Sequence, residues 1–322
     1  MRPIVFTVLM MLVLIPGLSM ANKESFDVWL TGFKKEAVKK GISQKTLESA
    51  FKGVKPLPRV IELDRKQPEG KMTFAQYKAK VITKERISQG RKLYRQYHET
   101  LDEIGAKYGV PAQYIVALWG METSYGNNTG GFGVIPALAT LAHDGRRSSF
   151  FRGELLAALK ILDEGHVPLK DMKGSWAGAM GQNQFMPSSF HAYAVDEDGD
   201  GRRDIWTTRQ DVFASTANYL SKSGWLGDER WGRPVNLPKK FSEKLVGTDV
   251  RKSLKEWDKI GVRLPNGERL PDVEKMNASI VAPDGLSGPA FLAYHNFGVI
   301  MKWNRSQYFA ISVGTLADAI AE

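Results

Sequence analysis

The sequence predicts a mainly helical (α+β) protein in which a small β-rich insertion interrupts the helices toward the C-terminus. Apolar residues recur at helical spacing near the N-terminus, and residues 148 to 162 repeat this amphipathic pattern. After Trp225 the composition changes, because prolines become frequent and Asn266-Gly267 is a strong hairpin-turn signal. Ile280 and Val281 fall in a short strand-like run. These observations favour helices around one small β unit.

The first 21 residues are predicted to be a secretory signal peptide. Arg2 precedes an uncharged stretch from 3 to 18, and small residues follow at the predicted cleavage point. The apolar stretch is short and charged residues begin again at Lys23, which disfavours a membrane span. An uncleaved anchor stays open as an alternative. We expect the mature chain to begin near Asn22.

Residues 22 to 108 are predicted to form a helical domain. Its first helix is indicated by apolar residues at helical spacing: Phe26, Trp29, Leu30, Phe33 and Ala37. Ser43 is placed to cap a second helix that runs toward Phe51. A charged stretch from about Thr83 to Lys107 predicts one long helix.

Three further units follow along the chain. Residues 109–228 form a second, mostly helical unit, and residues 229–284 form the β-rich insertion. From Phe291 onward the pattern is helical again, so residues 285–322 are expected to return to the helical core. Asn304-Arg305-Ser306 marks a break within these last helices.

Composition narrows the class of partner. The 322 residues carry a formal net charge of +10 and no cysteine. An exported chain without cysteine has no disulfide and no thiol for a lipid anchor, so packing and a metal ion are left to stabilise it. A basic surface suits an anionic polymer or a membrane face. Because no nucleic-acid recognition motif is present, anionic cell-envelope polymers are the expected partners, and nucleic acid is not.

Glu122 is the strongest candidate for a catalytic residue. Pro111 can open its helix and Gly126 can stop it. Ile115 and Leu118 lie seven and four residues before Glu122, the spacing that stacks side chains on one helix face. A carboxyl on an apolar face loses hydration, and this raises its pKa toward the range of a general acid. A helix-end Glu that reaches solvent is the alternative.

An acidic loop predicts a structural calcium site. Residues 196–201 match the start of an EF-hand loop, with carboxylates at Asp196, Asp198 and Asp200 and a glycine for the sharp turn. The bidentate Glu of the standard loop is replaced by Thr207, so Asp204 or Asp211 would have to complete the shell. A solvated acidic turn without an ion is the alternative.

A glycine-rich run from 174 to 187 predicts a ligand-binding loop. Its glycines allow close backbone approach, while Ser175, Gln182 and Gln184 offer neutral hydrogen bonds of the kind that read hydroxyl and acetamido groups. This chemistry suits a sugar. A packing turn without a ligand is the alternative.

Together these three motifs resemble the lytic murein transglycosylase B family, in the same order and over roughly residue 74 to the C-terminus. The resemblance implies a lysozyme-like catalytic core at 109–228 with an EF-hand-like calcium site and no organic cofactor. Glu122 matches the catalytic acid. Further residues match cleft positions that bind substrate: Ser175, Gln184, Asn296, Tyr219 and, with ambiguous local spacing, Tyr77. The metal ligands fall on Asp196, Asp198, Asp200, the carbonyl of Arg202 and Asp211.

The reaction implied by the resemblance is cleavage of the β-1,4 bond between N-acetylmuramic acid and N-acetylglucosamine in peptidoglycan (murein), with a 1,6-anhydro product. A single Glu would act as acid and then as base. A hydrolase would instead need a second carboxylate, for which Asp144 and Glu154 are the nearest candidates. A hydrolytic muramidase and a non-catalytic peptidoglycan-binding protein are the alternatives.

The same resemblance sets expectations about location and partners. The chain looks like a soluble periplasmic cell-wall lyase, exported by its signal peptide and without a lipid anchor. We expect a monomer that acts on glycan strands. Association with cell-wall synthesis proteins or with the membrane surface is a further expectation.

Overall fold

The computed structural model describes residues 24–66, 72–227, 229–273 and 275–322. The predicted signal peptide lies outside these residues. Within the described ranges, no helix is both long and apolar enough to cross a bilayer. The fold is mostly helical, as the sequence predicts, and the described residues also form two small sheets.

Three helices begin the described part of the chain, and the first two have a serine at the N-cap. They are α1 (Phe26–Lys39), α2 (Gln44–Ala50) and α3 (Pro58–Arg65). The Ser43 hydroxyl accepts a hydrogen bond from the backbone N–H of Thr46, which confirms the predicted cap. The apolar sides of these helices join one hydrophobic cluster with later helices of the core.

The predicted long charged helix is wrong, because the chain forms two helices there. After α4 (Phe74–Val81) come α5 (Lys84–Gln96) and α6 (His98–Tyr108). They meet at Tyr97, whose backbone leaves the helical region, with φ −110° and ψ 19°. The Tyr97 ring packs edge-on against Phe213, with ring centroids 5.5 Å apart. The helix breaks where this ring packs against a distant residue, and local helix propensity does not indicate that break.

The helical core is built around α7 (Ala112–Thr123), which is buried on nearly all sides. Two amphipathic helices, α8 (Val134–Asp144) and α9 (Ser148–Asp163), pack closely against each other. The remaining core helices are α10 (Pro187–Tyr193), α11 (Arg209–Lys222), α13 (His295–Trp303) and α14 (Gln307–Ala321). The break between α13 and α14 falls at 304–306, as the sequence predicts.

The β unit contains a four-stranded antiparallel sheet, one short α-helix, α12 (Leu254–Ile260), and a 3₁₀ turn at Glu243–Leu245. A separate pair, β1 (Phe132–Gly133) and β2 (Lys173–Gly174), lies in the helical core. The larger sheet has the order β3-β6-β5-β4, with β3 (Gly232–Val235), β4 (Lys252–Ser253), β5 (Asn277–Val281) and β6 (Ala290–Ala293).

The last strand of this sheet corrects one sequence prediction. Phe291, where helix was expected to resume, lies in β6 and pairs with Val281. All four residues of β6 are buried, and Leu292 pairs with Ile280. A fully buried apolar strand has no alternation, so its sequence looks like that of a buried helix.

Candidate functional site

Glu122 lies in the last turn of α7. The helix begins after Pro111, which caps it, and ends at Thr123 rather than at Gly126. Ser124 and Tyr125 both take left-handed backbone conformations, with φ 49° and 63°. Two consecutive non-glycine residues in this region are strained, and such strain concentrates at functional sites. The chain therefore turns sharply one residue after Thr123 and leaves Glu122 at the helix end.

The predicted apolar face of α7 is not the only buried face of this helix. Ile115 and Leu118 are buried, but so are the residues between them, so the helix is enclosed on all sides. Glu122 itself is partly buried and keeps some surface open to solvent. The carboxyl is therefore surrounded by protein and still reachable.

Burial sets the protonation of Glu122. It raises the pKa of the carboxyl to about 7, and a hydrogen bond from the Trp303 indole acts in the opposite direction. The Trp303 Nε1–H donates to Glu122 Oε1 over 2.7 Å. At pH 7 roughly half of the Glu122 side chains therefore carry a proton. The predicted raised pKa agrees with this geometry.

The glycine-rich run is fastened to the end of α7 by Gln182. The Trp119 Nε1–H donates to Gln182 Oε1 over 2.8 Å, and the Thr123 hydroxyl donates to the Gln182 carbonyl over 3.1 Å. Gln182 is buried and its amide nitrogen donates to the Trp206 carbonyl. Its side chain thus holds the loop beside Glu122 and is fully engaged within the protein.

Ser175 and Gln184 border the loop that follows Glu122. Ser175 Oγ accepts from the backbone N–H groups of Ala177 and Ala179, which leaves its own proton free to donate. Gln184 Nε2 donates to the Thr129 carbonyl over 3.1 Å. Next to Thr129, Gly130 approaches the Gly174 carbonyl and the Ser175 nitrogen closely. The structure thus brings both predicted sugar-binding residues to the loop that follows α7.

The two predicted cleft tyrosines also lie near Glu122. Tyr219 packs on the Trp303 ring, with centroids 4.6 Å apart, and its hydroxyl donates to the Lys302 carbonyl over 2.8 Å. Burial raises the pKa of Tyr77, and the charge of Glu122 raises it further. Tyr219 and Trp303 both pack against the two large hydrophobic clusters of the core. The site therefore lies where these clusters meet.

Asn296 is placed differently from the other predicted cleft residues. It has no exposed surface, and its side chain accepts from the Leu226 N–H and donates to the Glu229 carbonyl. It secures the chain between α11 and β3 and presents no polar atom to a cleft. Trp303, which was not among the predicted site residues, donates a hydrogen bond to Glu122 instead. An aromatic residue ending a helix was the available signal.

The two acids considered as partners of Glu122 are engaged elsewhere. Glu154 is buried and accepts from both the backbone N–H and the hydroxyl of Ser188, at the start of α10. Asp144 pairs with Arg65 across 3.1 Å. Among the described residues, no carboxylate contributes to the pKa shift of Glu122.

The acidic loop gathers three carboxylates. Ligand atoms of Asp196, Asp198 and Asp211 all lie within 4.8 Å of one another. Asp211 is fully buried, and burial raises its pKa to about 6 although the N–H groups of Glu197 and Asp204 donate to it. A buried carboxylate beside two others fits a hard cation with oxygen ligands.

The remaining predicted ligands are not part of this group of three carboxylates. Asp200 forms an ion pair with the Arg202 guanidinium, with Nη2 and Oδ2 2.9 Å apart. Asp204 accepts from the backbone N–H groups of Trp206 and Thr207 and so closes the end of the loop. Of the two candidates for completing the shell, Asp211 is the one grouped with Asp196 and Asp198.

Comparison with known proteins places the chain in a family. Residues 25–318 match the family described as transglycosylase SLT domain. The membrane-bound lytic murein transglycosylase B of Escherichia coli (strain K12) is 33% identical over 300 residues, which cover 88% of this chain and 80% of that protein.

Two solved structures share the fold. SltB3 from Pseudomonas aeruginosa, in complex with NAG-anhNAM-pentapeptide, superposes with a TM-score of 0.90 at 46% identity, covering 92% of this chain and 80% of that one. The Escherichia coli lytic transglycosylase Slt35, in complex with calcium, gives a TM-score of 0.78 at 30% identity and covers 94% of both chains.

The lysozyme-like helical fold and the similarity to these proteins define an enzyme of the lytic transglycosylase class. The chain belongs to the transglycosylase SLT domain family.

Proposed function

We propose that this lytic transglycosylase cleaves the β-1,4 bond between N-acetylmuramic acid and N-acetylglucosamine in peptidoglycan and leaves a 1,6-anhydromuramyl end. The observation that carries the proposal is Glu122, a partly buried acid with a pKa raised to about 7 and no carboxylate acting on it among the described residues. SltB3, a relative at 46% identity, is bound to a NAG-anhNAM-pentapeptide, which supports the same product.

In the first step Glu122 acts as a general acid. Its proton passes to the glycosidic oxygen as the bond from that oxygen to the muramyl anomeric carbon breaks. The muramyl ring gains oxocarbenium-like positive charge, and the Glu122 carboxylate formed in this step stabilises it. A carboxyl that is half protonated near pH 7 is suited to this transfer.

In the second step the same side chain acts as a base. The carboxylate takes the proton of the muramyl C6 hydroxyl, and that oxygen bonds to the anomeric carbon. Glu122 regains its proton, and no water is consumed. Because the nucleophile belongs to the substrate, its attack is intramolecular and needs no second carboxylate.

Ser175, Gln184, Tyr77 and Tyr219 are proposed to bind the glycan around Glu122. Ser175 has a free hydroxyl proton, and the Gln184 amide oxygen accepts no hydrogen bond from the described residues. Such neutral groups suit sugar hydroxyl and acetamido groups. We further propose that the enzyme works as a monomer in the periplasm, without a lipid anchor.

A hydrolytic muramidase is the first rival. It would need a carboxylate on the far side of the bond, and both sequence candidates, Asp144 and Glu154, have partners elsewhere in the fold. A non-catalytic glycan-binding protein is the second rival. Such a protein would gain nothing from a desolvated acid, because a desolvated carboxyl lowers the free energy of unfolding at pH values above the pKa of the free carboxyl.

Product mass tests the proposed reaction. Purified peptidoglycan digested with the enzyme is expected to release muropeptides that are lighter by one water than those released by a hydrolytic muramidase. Mass spectrometry of both digests, with reduction by borohydride as a second check, distinguishes the ends because an anhydro end is not reducible. Release of only reducing, water-added ends would overturn the reaction type, and no release at all would favour the binding protein.

We also propose that the acidic loop binds one structural calcium ion. Asp196, Asp198 and Asp211 would hold it, with Asp200 and the Arg202 carbonyl as further oxygen donors. The bound ion would neutralise the repulsion among these carboxylates. Slt35, a relative at 30% identity, is in complex with calcium, which supports this assignment.

Calcium is expected to raise the melting temperature by about 5 °C at a concentration near one hundred times its dissociation constant, relative to enzyme in chelator. Asp198→Asn should remove most of this increase because it deletes one ligand. Asp102→Asn, an exposed acid on α6, is the matched control and should retain it. Differential scanning calorimetry measures all three, and equal melting temperatures with calcium and chelator would contradict the site.

A further inference from the structure

Trp303 makes the one hydrogen bond that the Glu122 carboxyl receives among the described residues. The donor is the indole Nε1–H and the acceptor is Oε1, 2.7 Å away. An indole N–H can donate and has no lone pair with which to accept. When Glu122 is protonated, its carbonyl-like oxygen is the stronger acceptor, so this hydrogen bond favours that oxygen facing Trp303 and the proton on Oε2.

The Trp303 ring is held in place by contacts that leave its N–H free to point at Glu122. It packs on Tyr219 and on Phe185, with ring centroids 4.6 and 5.2 Å away. The preceding residue is fixed to α11 twice, because the Lys302 carbonyl accepts from the Tyr219 hydroxyl and Lys302 Nζ donates to the Ser223 carbonyl.

The end of α13 completes this arrangement. The helix stops at Trp303, and Asn304 takes an extended conformation with φ −142° and ψ 120°. The indole therefore belongs to the last residue of α13, and the residue before it is bonded to α11. Such a side chain is preorganised, so it can hold a second group in place without reordering during the reaction.

We propose that Trp303 is a positioning residue that directs the transferable proton of Glu122 to Oε2 and stabilises the carboxylate formed when that proton leaves. This inference rests on the proposed function, because it assigns a role within the two proton transfers. The same hydrogen bond serves both steps. It orients the neutral acid in the first, and it strengthens as a charge-assisted bond in the second.

The titratable and charged groups around this pocket are few among the described residues. Tyr77 on α4 faces Glu122, and Arg86 on α5 acts on Tyr77. Burial raises the pKa of Tyr219 to about 12, so that side chain stays neutral near pH 7. A change in the ionisation of Glu122 after alteration of Trp303 therefore has few competing sources.

The test is Trp303→Phe, which keeps an aromatic ring against Tyr219 and removes the donor. The ionisation of Glu122 is followed by ¹³C NMR of labelled glutamate carboxyls, with its resonance identified by loss in Glu122→Gln. We expect the midpoint to rise by about one pH unit, because the lost bond favoured the carboxylate. The descending alkaline limb of kcat/KM should move upward by the same amount, and kcat should fall roughly tenfold.

Two further variants keep this test decisive. Trp257→Phe removes an indole bond to the Ala278 carbonyl within the β unit, and it should leave both the midpoint and the alkaline limb unchanged. If Trp303→Phe does not fold, site-specific replacement by 3-benzothienylalanine keeps the bicyclic ring and replaces only the N–H by sulfur.

An unchanged Glu122 midpoint in Trp303→Phe or in the benzothienyl variant would overturn the positioning role. This failure is separate from failure of the proposed function. The NMR titration needs no substrate, whereas the proposed function stands or falls on the mass of the released products and on the activity of Glu122→Gln.

Discussion

Glu122→Gln is expected to lower kcat/KM on purified peptidoglycan by about 10²- to 10⁴-fold, the largest catalytic effect of any single substitution in this chain. Glutamine keeps the size of the side chain and can still accept the Trp303 N–H at its amide oxygen. It cannot give a proton to the glycosidic oxygen or take one from the C6 hydroxyl. Both proton transfers therefore fail while the cleft keeps its shape.

The same substitution should stabilise the protein at alkaline pH. The pKa of Glu122 is raised from 4.5 to about 7 on folding, so the native state binds more protons than the unfolded state between these values. The contribution of Glu122 to stability is thus largest below pH 4.5, falls as the pH rises toward 7, and stays reduced above it. Glutamine has no such penalty, and at pH 8 it should add about 2–3 kcal/mol to the free energy of unfolding.

Glu154→Gln is the matched control for this prediction. It also changes a buried glutamate of the helical core, but it weakens the bond with Ser188 and should lower stability. The activity of its folded fraction should be retained. Turnover assays and urea unfolding at pH 8 measure both variants. Substantial activity in Glu122→Gln, or greater loss in Glu154→Gln, would show that Glu122 is not the acid.

Gly130→Ala is expected to lower the free energy of unfolding by about 2–4 kcal/mol. Gly130 has φ +90°, a conformation that alanine rarely adopts, and a Cβ there would lie 2.1 Å from the Gly174 carbonyl oxygen. The loop after Glu122 would have to move away from β2 and Ser175. Since a misplacement of about 1 Å in an active site can cost 10²-fold, kcat/KM should also fall by roughly 10- to 100-fold.

The next residue provides the control. A Cβ on Gly131 meets no atom within 4 Å, and its backbone lies outside the left-handed region. Gly131→Ala should therefore change stability and turnover little. Urea unfolding and initial rates on peptidoglycan compare the pair. Equal behaviour of the two variants would show that the contact between Gly130 and Gly174 does not support the site.

The proposed catalytic residue and its neighbours differ in how far the sequence could predict them. Glu122 stood out because it is a charged residue in an apolar helix, a local signal. Ser175 and Gln184 were predicted from a glycine-rich run. Asn296 and Trp303 show the limit of such signals. The Asn296 side chain is hydrogen-bonded to backbone groups, and Trp303 bonds to Glu122, which lies 181 positions away in the chain.

The secondary structure likewise contains features set by neighbouring residues and features set by contacts with distant elements. The cap at Ser43 and the break at 304–306 depend on neighbouring residues, and the sequence predicted both. The division of residues 84–108 into two helices at Tyr97 and the strand at Phe291 depend on packing against distant elements. Local preferences are weak compared with such contacts.

The sequence by itself determined a mostly helical lytic transglycosylase with one candidate acid, because short-range patterns and motifs are written in consecutive residues. The helical pattern also indicated that burial raises the pKa of that acid. Only the tertiary structure decided its surroundings: desolvation raises the pKa of Glu122 to about 7, and the Trp303 indole donates a hydrogen bond to Oε1. The extent of desolvation and the identity of the hydrogen-bond donor arise from atoms brought together by folding, and no pattern of neighbouring residues specifies them.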